Sequence, residues 1–278
     1  MKMQRFALIG YDISYSLSPR IFAAIFAQAG QQGRFELHSV PPGTLKGYLQ
    51  AQLNYTITGF AVTIPHKEAI VEHMHHLDAV ARATGAVNSV VVREGSLFGY
   101  NTDCYGFTYA LKRTGISGFS RALILGCGGG ARAILCALRS DCAVRHFTVW
   151  GRSTQKLETF RQHFRRELPD IDVTCITDLT TFAGDREGLL IVNCTPLGGP
   201  NHINSNPLPL NEDWGNAALY VDLNYNSDNR IIAALRDAGV ATADGSVMLV
   251  AQALRSYKLW TGIDVEFDSV YTQVFQDE

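Results

Sequence analysis

The chain is 278 residues long, and much of what it lacks is informative. It has no apolar run near the roughly 18 residues needed to cross a bilayer, so no membrane partner is expected. The N-terminal stretch Met1 to Gly10 has an apolar run too short for a signal peptide and reads as a first strand. A cytoplasmic protein is expected. There is no basic run interleaved with aromatics, and a net charge of −2 with 18% charged residues argues against both a nucleic-acid footprint and disorder. The basic stretch from Arg161 to Arg166 lies in a polar helical pattern and reads as a solvated face. No C-x-x-C spacing joins Cys104, Cys127, Cys136, Cys142, Cys175 and Cys194, which read as small hydrophobes of a reducing compartment. His73, His75 and His76 crowd together without a cysteine to complete a ligand set, so no metal is expected. The Gly-x-Ser-x-Gly elbow of serine hydrolases is missing, and so are internal repeats.

What is present points to a two-domain α/β protein. At 46% hydrophobic residues the chain can bury substantial cores, and its length suits domains of about 150 residues each. The pivotal stretch is Arg121-Ala-Leu-Ile-Leu-Gly-Cys-Gly-Gly-Gly-Ala-Arg-Ala133, an apolar strand emptying through glycines into a helix. Gly126-x-Gly128-x-x-Ala131 is a form of the dinucleotide fingerprint, with helix N–H groups presented to a pyrophosphate. After the next strand, His146 to Trp150, no acid appears before Glu158 to accept from an NAD ribose. Arg152, Ser153 and Lys156 stand there instead and suit a 2′-phosphate, which favours NADP.

Before this loop, strands are expected at 6–9, 35–40 and 59–64, with a hairpin of 87–92 and 97–100 across Arg93-Glu-Gly-Ser. Helices are expected at 19–29 (Ser18 as N-cap), 45–53, 69–76 and 77–83. The alternation implies a mainly parallel sheet. Residues 105–115 read as a helical connector, and Gly115 to Gly118 as a boundary. Further strands are expected at 173–176, 189–193 and 219–223, a helix at 228–238, and a long helix at 246–262 capped by Gly262.

Polar residues gather where the early strands end. Ser14, Ser16 and Ser18 offer hydroxyls at a helix start, good for a carboxylate. Thr63 and Lys67 flank a proline-stiffened turn, Asn88 follows Gly85-Ala-Val, and Asn101-Thr-Asp103 follows the hairpin. Each has a plain structural alternative as a cap, turn residue or surface charge. Together they describe an anion clamp beside a Lys–Asp pair, able to relay a proton to or from a hydroxyl.

In order along the chain, these motifs resemble the shikimate dehydrogenase family: Ser16-Leu-Ser18-Pro19, Thr63-Ile-Pro65-His-Lys67, Gly85-Ala-Val-Asn88, Asn101-Thr-Asp103, Gly126-Cys-Gly-Gly-Gly-Ala131, Gly151-Arg152-Ser153-Thr-Gln-Lys156, Asn193-Cys-Thr195, Asp222-Leu-Asn-Tyr225 and Gly245-Ser-Val-Met-Leu-Val-Ala-Gln252. The resemblance implies an N-terminal mixed α/β substrate domain, residues 1–107 with the helical segment 246–278 packing back on it. It implies a Rossmann-type NADP domain at 108–245 and an active site in the cleft. It implies NADP-dependent interconversion of 3-dehydroshikimate and shikimate, in aromatic amino acid biosynthesis, by a monomer or homodimer. Lys67 and Asp103 would be the catalytic pair, and Ser16, Ser18, Thr63, Asn88, Asp103, Tyr225 and Gln252 would bind substrate. Gly126, Cys127, Gly128, Gly129, Gly130, Ala131, Gly151, Arg152, Ser153, Lys156, Thr195, Leu223 and Gly245 would bind NADP. Ala61, His66 and Gly151 depart from the family pattern, as do Tyr15 and Pro196. They leave open a paralogue using quinate or another cyclic hydroxy acid. A non-catalytic NADP-binding regulator is a further alternative, and a folate-linked dehydrogenase of similar shape is disfavoured by the small polar clamp.

Overall fold

The computed structural model describes residues 3–52, 57–182, 186–209, 212–225 and 229–275. The expected element ends at Leu53 and Asp228, and residues 276–278, lie outside this set. The chain divides into two compact units, Met1–Gly106 with Leu249–Glu278, and Phe107–Met248. It leaves the first within one helix, Asp103–Thr114 (α5), and returns within another, Ser246–Thr261 (α9).

The first unit is built on strands β1 (Gln4–Gly10), β2 (Gly33–Ser39), β3 (Ile57–Val62), β4 (His76–Leu77), β5 (Ser89–Arg93) and β6 (Ser96–Tyr100), in the order β2-β1-β3-β5-β6-β4. Pairs β1–β2, β1–β3 and β4–β6 are parallel, whereas β5 is antiparallel to both neighbours. The sheet is therefore mixed where a mainly parallel one is expected. Its cause is the β5–β6 hairpin, whose Glu94 (φ 49°) and Gly95 (φ 75°) both take the left-handed region that a tight two-residue turn demands. One sheet face buries Ala7, Ile9, Phe60, Val62 and Val90 with Leu45, Leu49 and Ile70. Phe6 and Phe22 both stack on Trp260 of α9, with centroids at 5.1 and 5.3 Å. Such pairs add about 0.5–1.5 kcal/mol each beyond their buried area.

Two local expectations are corrected. Helix α1 (Ser18–Gln28) takes Ser18 as its first residue, so Ser18 is not the cap; the Ser16 hydroxyl accepts from the Ser18 N–H at 3.2 Å instead. The expected helix 69–76 also stops early. Short α3 (His66–Ala69) tightens into a 3-10 turn at Ile70–His73, Met74 is extended, and His76–Leu77 pairs with β6 as β4. Strand pairing outweighs the helical periodicity there. The following helix α4 (Ala79–Thr84) is capped by Asp78 and closed by left-handed Gly85. Nearby, His75 accepts from the Leu97 N–H at 3.0 Å and His76 stacks on Phe98, so both serve the fold.

The second unit holds β7 (Arg121–Leu125), β8 (His146–Trp150), β9 (Asp172–Ile176), β10 (Leu189–Asn193), β11 (Leu219–Asp222) and β12 (Thr242–Ala243), in the order β12-β11-β10-β7-β8-β9 and parallel throughout. This is the strand order of doubly wound dinucleotide-binding folds, with the switch point between β7 and β10. Helices α6 (Gly129–Asp141), α7 (Thr154–Glu167) and α8 (Arg230–Asp237) accompany it.

Candidate active site

In the first unit, the ends of β3, β5 and β6 bring together residues far apart in sequence. Lys67, on α3, places its ammonium 2.6 Å from Asp103 Oδ2. Asp103 opens α5 and is buried, while the Lys67 side chain keeps 18% of its surface exposed, so the pair has one reachable end. The other carboxylate oxygen, Oδ1, accepts from Asn88 Nδ2 at 2.7 Å. Asn88 is itself oriented: its Oδ1 accepts from the Thr102 N–H at 2.6 Å, which turns the amide nitrogen towards Asp103 and Gln252 Oε1 (3.3 Å). Asn101 completes the frame by accepting from the Asp103 N–H at 3.1 Å, the orphan donor of the α5 start.

The hydroxyl clamp stands after β1 and β3 of the same unit. Ser16 and Ser18 link their hydroxyls at 3.1 Å in the turn entering α1. Thr63 follows β3, its N–H donating to the Ile9 carbonyl and its own carbonyl accepting from His66. The Ile64–Pro65 peptide between them is cis. His66, a departure from the family pattern, is buried, and its Nε2 donates to the Val40 carbonyl at 2.7 Å. The imidazole is thus a tie between two segments. Ala61 is a buried strand residue in register with Leu8 and Ser89. Tyr15 is half exposed, its phenol pushed up by burial and then by Asp12.

The second unit carries the expected cofactor residues. Gly126 ends the β7 run with φ +110°, a backbone that a side-chain-bearing residue rarely adopts. Gly128 is the N-cap of α6 and makes no side-chain cap, so the first N–H groups of Gly129, Gly130 and buried Ala131 are offered to an anion. A Cβ at Gly130 would meet only Leu223 Cδ1, at 3.9 Å, which leaves room for a pyrophosphate along the loop. Past β8, Arg152 and Lys156 are exposed, and Ser153 caps α7 by accepting from the Lys156 N–H at 3.3 Å. This pairing of an uncapped helix start with a cationic edge fits a dinucleotide bearing an extra phosphate. Gly151 has a local reason: a Cβ there would lie 3.2 Å from both Cys127 Sγ and Leu157 Cδ2. Thr195, Leu223 and Gly245 lie on three connections at the carboxyl ends of β10, β11 and β12, and Tyr225 follows β11. Among the described residues no group of three His, Cys, Asp or Glu is placed to hold a metal.

Three residues with positioning contacts escape sequence reasoning. Thr102 lies between two motif residues, and its hydroxyl meets Ser256 Oγ of α9 at 3.0 Å. Ser256 is one helical turn beyond Gln252, a spacing that could have flagged it. Asn224 bonds across the β10 and β11 connections, and only its place between Leu223 and Tyr225 hints at it.

Family comparison matches two stretches, both lying almost wholly in the first unit. Residues 8–90 match the shikimate dehydrogenase substrate binding domain, and 245–275 match the shikimate 5′-dehydrogenase C-terminal domain. The shikimate dehydrogenase (NADP(+)) of Symbiobacterium thermophilum is 33% identical over 262 residues, covering 92% of this chain and 88% of that one. The structure is similar to shikimate 5-dehydrogenase from Thermus thermophilus in complex with NADP(H) and shikimate, with TM-score 0.84, 31% identity, and 99% of this chain and 100% of that one covered. The ligand-free 5-ketofructose reductase of Gluconobacter sp. strain CHM43 is also similar, with TM-score 0.82 and 25% identity over 100% of both chains.

Proposed function

The chain belongs to the shikimate dehydrogenase family, and from that premise we propose that it interconverts 3-dehydroshikimate and shikimate with NADP, Lys67 and Asp103 forming the acid–base pair. This is an oxidoreductase reaction of aromatic amino acid biosynthesis. The observation that carries the reading is the Lys67–Asp103 contact at 2.6 Å, held from behind by Asn88. Bound NADP+ supplies the acceptor for the hydride that leaves the ring carbon.

The chain's own residues do the rest. Asn88 occupies one oxygen of Asp103, so the carboxylate is held in a single orientation with Oδ2 on Lys67. Lys67, as the neutral amine, takes the proton of the reacting hydroxyl as the carbonyl forms, and as the ammonium returns it in the reverse direction; Asp103 orients that amine through Oδ2 and, with Asn88, addresses the substrate hydroxyls. Ser16, Ser18 and Thr63 hold the substrate carboxylate, and Gln252 and Tyr225 address the remaining hydroxyls. Gly126 and Cys127 through Ala131 cradle the pyrophosphate. Gly151 leaves the edge to Arg152, Ser153 and Lys156 on the 2′-phosphate, and Thr195, Leu223 and Gly245 line the nicotinamide half. The reading places a monomer or homodimer acting on small molecules in the cytoplasm.

The direct test is NADPH formation, followed by absorbance, with shikimate and quinate offered separately alongside NADP or NAD. Turnover with shikimate and NADP is expected. Turnover with quinate alone would move the substrate assignment to the paralogue reading, and NADP binding without turnover would favour the regulator. Lys67→Ala should cut turnover by about 10²–10⁴-fold, as loss of a general acid–base group does, with substrate affinity changed less. Turnover within a few-fold of the unaltered protein would remove Lys67 from the chemistry.

A further inference from the structure

Asp222 is fully buried, yet its partners are neutral. Its Oδ1 accepts from the Asn224 N–H at 2.9 Å and Asn224 Nδ2 at 2.8 Å. Its Oδ2 accepts from Tyr220 Oη at 3.0 Å and Asn229 Nδ2 at 2.9 Å, and Asn193 Nδ2 lies 3.1 Å from both oxygens. Among the described residues no Lys or Arg pairs with it. A buried carboxylate is tolerable only when such donors stay aimed at it, because each lost donor leaves desolvated charge behind. Burial, and then the Asp222 carboxylate beside it, push the Tyr220 phenol well above its ordinary value.

The donors come from the connections that carry three proposed cofactor residues. Asn193 Oδ1 accepts from both the N–H (3.0 Å) and the hydroxyl (2.7 Å) of Thr195, and its carbonyl accepts from the Leu223 N–H at 3.0 Å. Asn224 donates to the Thr195 carbonyl at 3.0 Å, and its own carbonyl accepts from the Gly245 N–H at 2.9 Å. A Cβ at Gly245 would lie 2.2 Å from the Leu223 carbonyl oxygen, so that approach admits only glycine. Each of Thr195, Leu223 and Gly245 is therefore one residue removed from the same carboxylate.

We propose that Asp222, acting through Asn193 and Asn224, is the positioning residue that assembles the seat for the nicotinamide half of NADP. The inference rests on the assignment of Thr195, Leu223 and Gly245 to that half. The adenosine half, with its 2′-phosphate, is assigned to Arg152, Ser153 and Lys156, none of which bonds to this hub. A damaged hub should therefore weaken the whole cofactor and spare its adenosine fragment.

The experiment is calorimetric titration of the purified protein with NADP+ and, separately, with adenosine 2′,5′-bisphosphate. Asp222→Asn keeps the shape but presents an amide to the surrounding amides. It should weaken NADP+ by about tenfold or more, the scale of one lost hydrogen bond to a charged group, and leave the fragment within about twofold. Should Asp222→Asn not fold, Asn224→Ala decides the matter, since its side chain is partly exposed and the same pattern is expected. Unchanged NADP+ affinity, or equal loss for both ligands, would overturn the inference. If the unaltered protein binds the fragment but gains nothing from the nicotinamide half, the assignment of the three seat residues fails first and the inference with it.

Discussion

At the scale of single residues, two side chains adjacent in sequence have separate tasks. Lys67 has a reachable ammonium on a buried carboxylate, whereas His66 is buried and tied to the Val40 carbonyl. His66→Phe keeps the volume and removes the donor. Leaving that carbonyl unpaired should cost about 1–3 kcal/mol, read as a lower melting temperature, with turnover of the folded protein within a few-fold. Unchanged melting with turnover lost would instead assign His66 to the chemistry.

At the scale of elements, the helix starts of the second unit divide the labour. The α6 start is glycine-rich and uncapped, so its N–H groups are left for an anion. The α7 start is closed by its own Ser153, which leaves the charge of Arg152 and Lys156 for binding. Arg152→Ala should therefore weaken NADP far more than NAD, because only NADP brings the 2′-phosphate. Equal loss of affinity for both would withdraw the assignment. Helix α8 shows the same economy of signals: Asn229 accepts from the N–H groups of Ile231 and Ile232 while donating to Asp222. One side chain caps a helix and completes the hub.

For the whole molecule, buried weak acids tie stability to alkaline pH. Burial is the main cause raising the Cys136 thiol to about 12 and the Cys175 thiol to about 11, against nearby arginines that lower them. Tyr220 and Tyr257 are raised in the same sense, again chiefly by burial. Their folded values lie above the unfolded ones, so as pH rises the unfolded chain gives up these protons first. Stability is full below the unfolded thiol value of 9.0 and falls as pH climbs from there towards about 12. Urea midpoints measured from about pH 8 to about pH 11 should decline, and Cys136→Ala should flatten the decline. An unaltered slope would show that this thiol does not contribute.

The amino-acid sequence by itself determined the strand–glycine–helix cofactor loop, the cationic edge after β8, the hairpin, and the motif residues. Those signals are local: a backbone angle only glycine relaxes into, a cap within one turn, an alternation of apolar residues. The tertiary structure decided what the local patterns left open. It drew β4 out of an expected helix because an edge position beside β6 was available for pairing. It tied His66, a departure from the family pattern, to the Val40 carbonyl. It joined Lys67 to Asp103 across 36 residues and Asn88 to Gln252 across 164, and it gathered the asparagines around Asp222. Periodicity carries no information about such pairings. They exist because buried polar groups must find partners, and only the packed chain determines which partners are within reach.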